Sequence, residues 1–101
     1  MEGKIPVCYS ITPFTIYRPF EFIRNFMNFE KFPVKIVGGG RNKDYGYLGY
    51  THWAEEDEDV LKVLKNIRFY KPVKYITDPE LIRIFQEFLY SPDPCYLNLI
   101  K

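Results

Sequence analysis

The sequence predicts an α+β domain over residues 1–101, in which four antiparallel strands carry two helices on one face in the order βαββαβ. Three observations predict it. Short stretches whose apolar residues recur with period two alternate with longer stretches of helical spacing. Turn-forming residues, most visibly Gly38-Gly39-Gly40, punctuate the joins. The chain has 101 residues, of which 47% are hydrophobic and 19% aromatic, enough for a core in one domain and too apolar for a disordered segment.

The first strand is expected from Lys4 to Ile11, with Ile5, Val7, Tyr9 and Ile11 toward the core and Lys4, Pro6, Cys8 and Ser10 opposite. Thr12-Pro13-Phe14-Thr15-Ile16 leads into a helix from about Pro19 to Phe29, since proline suits a first helical turn and Phe22, Ile23, Phe26 and Met27 form one stripe. A second strand covers Phe32 to Val37, with Val34 and Ile36 packed and Lys35 and Val37 outward. Residues 38–44 form a glycine-rich, basic hairpin connection. No lysine-serine or lysine-threonine pair follows the glycines, which excludes a nucleotide-hydrolase phosphate loop.

The third strand runs from Lys43 to about Trp53, where alternation sets Lys43, Tyr45 and Tyr47 on one face and Leu48, Tyr50 and His52 on the other. The acidic run from Glu55 to Asp59 starts the second helix, where backbone N–H groups favour negative charge. Val60, Leu61, Leu64 and Ile67 form its buried stripe. A fourth strand spans Tyr70 to Ile76. These elements make the core at residues 5–76, and the order is that of a ferredoxin-like fold with one open sheet face. Residues 77–101 extend it: a third helix from Thr77-Asp78-Pro79 to Tyr90, apolar through Leu81, Ile82, Phe85, Phe88 and Leu89, and a fifth strand, Tyr96 to Ile100, at a sheet edge.

Lys43-Asp44-Tyr45-Gly46-Tyr47-Leu48-Gly49-Tyr50 resembles the longer ribonucleoprotein motif of the RNA recognition motif (RRM) domain. Lys43, Tyr45, Gly46 and Tyr50 fit the pattern directly, and Tyr47 and Leu48 are like-for-like replacements. Asp44 stands where the pattern has glycine, and Cys8 stands where the first strand's shorter motif has a stacking aromatic. The resemblance implies single-stranded nucleic-acid binding, RNA before DNA. Tyr45 and Tyr47 would stack bases, and Lys43, Arg41, Lys35 and Lys74 would meet phosphates.

The alternative on the same residues is a protein-interaction or homodimer module, in which the tyrosines and the third helix form an apolar interface. A small nuclease or phosphatase built on His52 ranks last, because no acid-base or metal constellation accompanies the single histidine. The expectation is therefore a protein that is no enzyme, with no cofactor and no metal, whose partners are single-stranded RNA or DNA, a second copy or another protein. A formal charge of +1 gives no field to attract duplex DNA. No apolar run approaches a membrane span, and Met1-Glu2-Gly3-Lys4 lacks the apolar core of a signal peptide, so the expected location is cytoplasmic. Cys8 and Cys95 lack neighbouring ligands and are expected to be buried free thiols.

Overall fold

The computed structural model describes residues 4–100, so Met1, Glu2, Gly3 and Lys101 of the expected domain lie outside the described residues. Its sheet has four strands, β1 (Val7–Ile11), β2 (Lys35–Gly39), β3 (Arg68–Tyr70) and β4 (Cys95–Leu99), in the spatial order β1-β2-β4-β3. Every pairing is parallel. This corrects the expected antiparallel ferredoxin-like sheet: the fold is α/β. The physical reason lies in the connections. Each successive pair of strands is separated by more than twenty residues with helical content, and such crossovers return the chain in the same direction.

Two short helices, α1 (Thr12–Ile16) and α2 (Phe20–Phe22), join β1 to β2, and α2 continues without a break into a π-helical stretch, Ile23–Phe29. The expected first helix is thus present, and Ile23 and Met27 are its buried residues, whereas Phe22 and Phe26 face out. α3 (Asp57–Lys62) begins with Asp57, Glu58 and Asp59 in its first turn, where the helix dipole favours them. α4 (Asp78–Tyr90) has Pro79 in its first turn and matches the expected third helix.

The helices divide between the two faces of the sheet. On one face Ile16, Ile23, Met27, Leu61 and Leu64 pack on Ile36 and Tyr96. On the other, Phe88 of α4 packs on Val37, Cys95 and Leu97. The chain steps from β1 to β2 and over to β3 with its helices on the first face. It then steps back to β4 with α4 on the second, as right-handed crossovers require. β4 was expected at an edge and stands second from it, buried at four of its five residues. The strand expected at Tyr70 to Ile76 ends at Tyr70, and Pro72 follows it.

No third strand exists at Lys43 to Trp53. Two 3₁₀ turns, Gly46–Leu48 and Tyr50–His52, replace it, joined by Gly49 at φ 84°, a conformation open to glycine and closed to an extended strand. Lys35 faces no solvent either. Its side chain is wholly buried, and Nζ donates to the carbonyl oxygens of Ser91 at 2.7 Å and Asp93 at 2.6 Å. Of the two thiols only Cys95 is buried. Cys8 is exposed on β1, because no element covers that strand's outer half. Among the described residues no helix is long and apolar enough to cross a membrane.

Two glycines of β2 give a paired test. A Cβ on Gly38 would stand 2.7 Å from Thr12 Oγ1 and 2.8 Å from the Tyr96 hydroxyl, both buried, whereas one on Gly39 would meet the hydroxyl end of exposed Tyr9. Gly38→Ala is expected to lower the unfolding free energy by about 1–3 kcal/mol. Gly39→Ala should cost much less, and urea melts of the two variants check the difference.

Candidate functional site at the carboxyl edge of the sheet

In an open parallel sheet, ligand sites form beyond the carboxyl ends of the strands, where neighbouring strands send their connections to opposite faces. Here that place lies above β4, between β2, whose connection goes to the α3 face, and β3, whose connection goes to the α4 face. The residues gathered there come from all parts of the sequence. Asn98 on β4 is wholly buried, with its amide nitrogen 3.1 Å from the Gly40 carbonyl, 3.1 Å from the Tyr96 hydroxyl and 3.3 Å from Thr12 Oγ1. Thr12 Oγ1 donates to the Gly40 carbonyl at 2.8 Å. The Tyr96 hydroxyl donates to the buried Asp57 carboxylate at 2.9 Å. A continuous chain of hydrogen bonds therefore runs from α1 through β4 to the start of α3.

Arg41, just past β2, closes the edge. Its Nε donates to Asn98 Oδ1 at 2.6 Å, and its Nη2 donates to the carbonyls of Pro72 at 2.8 Å and Asn98 at 3.0 Å. The guanidinium fork suits this multiple capture of fixed acceptors, and a lysine in its place would lose the planar geometry. Burial presses the Arg41 pKa below its usual value, while the charges of Asp44 and Asp57 oppose the change. Gly40, at φ 95°, turns the chain where the Tyr45 ring lies against it.

The irregular segment between Arg41 and α3 builds an aromatic cleft of about 300 Å³ beside this edge, lined by Phe14, Tyr17, Tyr50, Trp53 and Glu56. The Tyr17 and Tyr50 hydroxyls each donate to a different oxygen of the Glu56 carboxylate at 3.3 Å. Burial, then the charges of Glu56 and Asp57, push the Tyr17 phenol well above its usual pKa. Trp53 Nε1 is buried with no hydrogen-bond partner, and the Trp53 ring carries Lys43 Nζ over its face at 4.8 Å. His52 meets Phe14 edge-on at 5.1 Å, and its Nδ1 lies 3.0 Å from Thr51 Oγ1.

The residues proposed from sequence for nucleic acid are dispersed. Lys35 lies at the amino end of β2 and Arg41 beyond its carboxyl end, the one buried and the other bonded inward. Tyr45 precedes the first 3₁₀ turn, and Tyr47, within it, is exposed. Lys43 rests on Trp53, and Lys74, after β3, lies 5.6 Å from the centre of the Tyr75 ring. No strand arrays Lys43, Tyr45 and Tyr47 on one face. Sequence reasoning missed Thr12, Asp57, Tyr96 and Asn98. The available signal was Asn98 itself, a polar residue inside the apolar run Tyr96-Leu97-Asn98-Leu99, which must be hydrogen-bonded if that run is buried.

No protein-family model matches the sequence. The chain is 30% identical over 97 residues, 96% of its length, to a protein of Methanocaldococcus jannaschii named "Putative transketolase C-terminal section". It is 26% identical over 99 residues, 98% of its length, to a 6-deoxy-6-sulfo-D-fructose transketolase subunit from a Clostridium species. The chain spans about 30% of the length of each of these relatives. Among solved structures it resembles a split-gene transketolase described as an inactive beta4 tetramer, at TM-score 0.74 and 29% identity over 97% of this chain and 30% of that one. It also resembles the transketolase of Campylobacter jejuni at TM-score 0.77 and 17% identity, over 95% of this chain and 14% of that one, a likeness of fold alone. These likenesses overturn the RRM resemblance and, with it, single-stranded nucleic-acid binding as the function.

Burial, then the Asp57 charge, raise the Tyr96 phenol far above the usual tyrosine value near 10. A phenol held neutral in the folded state and free to ionise in the unfolded one contributes stability that is full below about pH 10 and declines as pH rises beyond it. Urea melts between pH 8 and 11 should show that decline, and Tyr96→Phe should make it shallower, the raised Tyr17 and Tyr70 phenols carrying the rest. The same variant leaves Asp57 without its phenol donor and should cost about 1–3 kcal/mol at pH 7.

Proposed function

We propose that this chain is one portion of a transketolase C-terminal section and that it works inside a multi-polypeptide enzyme, with other proteins as its partners. The observation that carries the reading is a coincidence of extent. The sequence match and the fold match to the split-gene enzyme each cover nearly the whole chain and about 30% of the relative. A stretch that aligns end to end with part of a larger section, in sequence and in fold together, is a structural part of that section.

The geometry supports a supporting role in the chemistry rather than an independent one. At the carboxyl edge Arg41, Asn98, Tyr96, Thr12 and Asp57 bond to one another, a network that rigidifies the loop from Arg41 to α3. That loop then presents Tyr47 and Tyr50 outward, at the edge where α/β sheets meet ligands or neighbouring domains. Of the readings drawn from sequence, a protein-interaction role is nearer to this than nucleic-acid binding. The ferredoxin-like form of that role does not survive the parallel sheet.

The test is biochemical. An affinity-tagged copy expressed in its source cells should elute in an assembly several times its own mass that transfers ketol groups between sugars. The isolated chain should show no such activity. A tagged chain that elutes as a lone monomer, with the cells' transketolase activity in other fractions, contradicts the reading.

A further inference from the structure

We infer that Lys35 and Cys95 form a modification site: dioxygen joins the lysine nitrogen to the cysteine sulfur through a single oxygen atom, a bridge that thiols reverse and that makes a redox-sensitive tie between β2 and β4. Both side chains lie at the amino end of the sheet, apart from the hydrogen-bond network at its carboxyl edge.

A lysine is almost never fully buried unless it is paired. Lys35 is wholly buried in an interior strand, and among the described residues its amine forms no ion pair. The Asp93 carboxylate turns away to Arg68 Nε at 2.8 Å and leaves only its main-chain carbonyl to the amine. Nζ lies 2.7 Å from the Ser91 carbonyl, 2.6 Å from that of Asp93 and 3.6 Å from Cys95 Sγ. The three hydrogens of an ammonium thus meet three acceptors, none of them a carboxylate, and the third is a sulfur with chemistry of its own. Lys35 and Cys95 are register partners across the parallel ladder, so their side chains leave the same face side by side. An apolar side chain at position 35 would avoid the cost of burying an amine, and it would have nothing to offer the thiol.

Burial decides which reaction is open to the pair. Cys95 has no exposed surface, so a bulky thiol does not reach its sulfur while the fold is closed. Cys8 pairs in register with Ile36, whose side chain packs on the face opposite to that of Cys95, and a disulfide between the two cysteines is therefore excluded. Dioxygen is small and uncharged and permeates packed protein without a channel. Starting from the neutral amine and the thiol, nitrogen and sulfur each give up one hydrogen. One atom of dioxygen leaves with both hydrogens as water, and the other bonds to nitrogen and to sulfur. Nitrogen and sulfur lose two electrons each, and dioxygen takes up all four. A direct nitrogen–sulfur bond would have to close the whole 3.6 Å gap to one bond length, whereas an inserted oxygen closes less of it and leaves the strands nearer to where the sheet holds them. The bridged nitrogen keeps one hydrogen where an ammonium has three, so the Ser91 and Asp93 carbonyls no longer each have a donor. The bridge fastens the strands and loosens the turn above them.

The experiment takes protein purified without oxygen and divides it between anaerobic and dioxygen-saturated buffer. Both halves are denatured, blocked with iodoacetamide, cut with trypsin and read by mass spectrometry without reductant. The expected product of the oxygenated half is a Lys35–Cys95 peptide pair that weighs the sum of its two peptides plus one oxygen and less two hydrogens, with tryptic cleavage after Lys35 lost. Isotopically heavy dioxygen should add its extra mass to that pair, and dithiothreitol should return both free side chains. The bridge closes a loop between residues 60 positions apart and should raise the melting temperature by about 10 °C, a rise that dithiothreitol abolishes. Cys95→Ala should lose both the pair and the rise, and Cys8→Ser, at the exposed cysteine on the other face, should keep both. The isotope comparison uses the unaltered protein and decides the matter whether or not the Cys95 variant folds. Identical peptide maps in the two halves overturn the inference. A pair that has lost two hydrogens without gaining oxygen, or Cys95 oxidised alone to its sulfinic or sulfonic acid, overturns it as well.

Discussion

The architecture depends on the insertion of β4 between β2 and β3. Cys95–Leu99 pairs with Lys35–Gly39 on one side and with Arg68–Tyr70 on the other. Without it β3 has no neighbour, and the two faces lose Tyr96, the aromatic that joins one core, and Leu97, which joins the other. Parallel pairing between segments so distant in sequence stands only if the intervening chain packs back on the sheet. Here α3 and α4 do so on opposite faces. The polar side chains of β4 complete the arrangement. Asn98 reaches Thr12 at the start of α1 and Arg41 after β2, so the carboxyl ends of the strands are tied at one point.

Local signals in the sequence marked some elements, and non-local ones left no mark. Two helices were legible, since the acid-rich start of α3 and Thr77-Asp78-Pro79 at the start of α4 are local signals that survive any tertiary context, whereas of the expected stripe Phe22, Ile23, Phe26 and Met27 only Ile23 and Met27 are buried. The strand directions were not. The reading of a hairpin from Gly38-Gly39-Gly40 into a strand at Lys43 rested on alternating tyrosines, yet alternation over a few residues does not distinguish a strand from consecutive 3₁₀ turns. Gly49 at positive φ belongs to the turns. The apolar pairs Ile36-Val37 and Tyr96-Leu97 lack alternation, as strands buried on both faces do, and that was the available sign of a parallel sheet.

The candidate site was less legible than the fold because its parts are non-local. Arg41, expected from the sequence to meet phosphate, bonds inward to Asn98 and the Pro72 carbonyl, partners 57 and 31 positions away that no local pattern could show. Tyr96 and Asp57, which meet at 2.9 Å, are 39 positions apart, and the packing of α3 on the sheet face that carries Tyr96 brings them together. The RRM resemblance was carried by residue types at one spacing, with no check on the element that bears them. The same eight residues in turns have no common face.

Lys35 gives the fold an internal chemical clock. Its amine is enclosed by the Ser91 and Asp93 carbonyls and lies 3.6 Å from the Cys95 sulfur, at the amino end of the strand that β1 and β4 flank. Surface lysines acylate through their neutral fraction with no opening of the fold. Lys35 acylates only when the turn from Ser91 to Asp93 lifts off its amine, so its modification in a mass spectrum counts openings at the amino end of the sheet rather than movements of its surface.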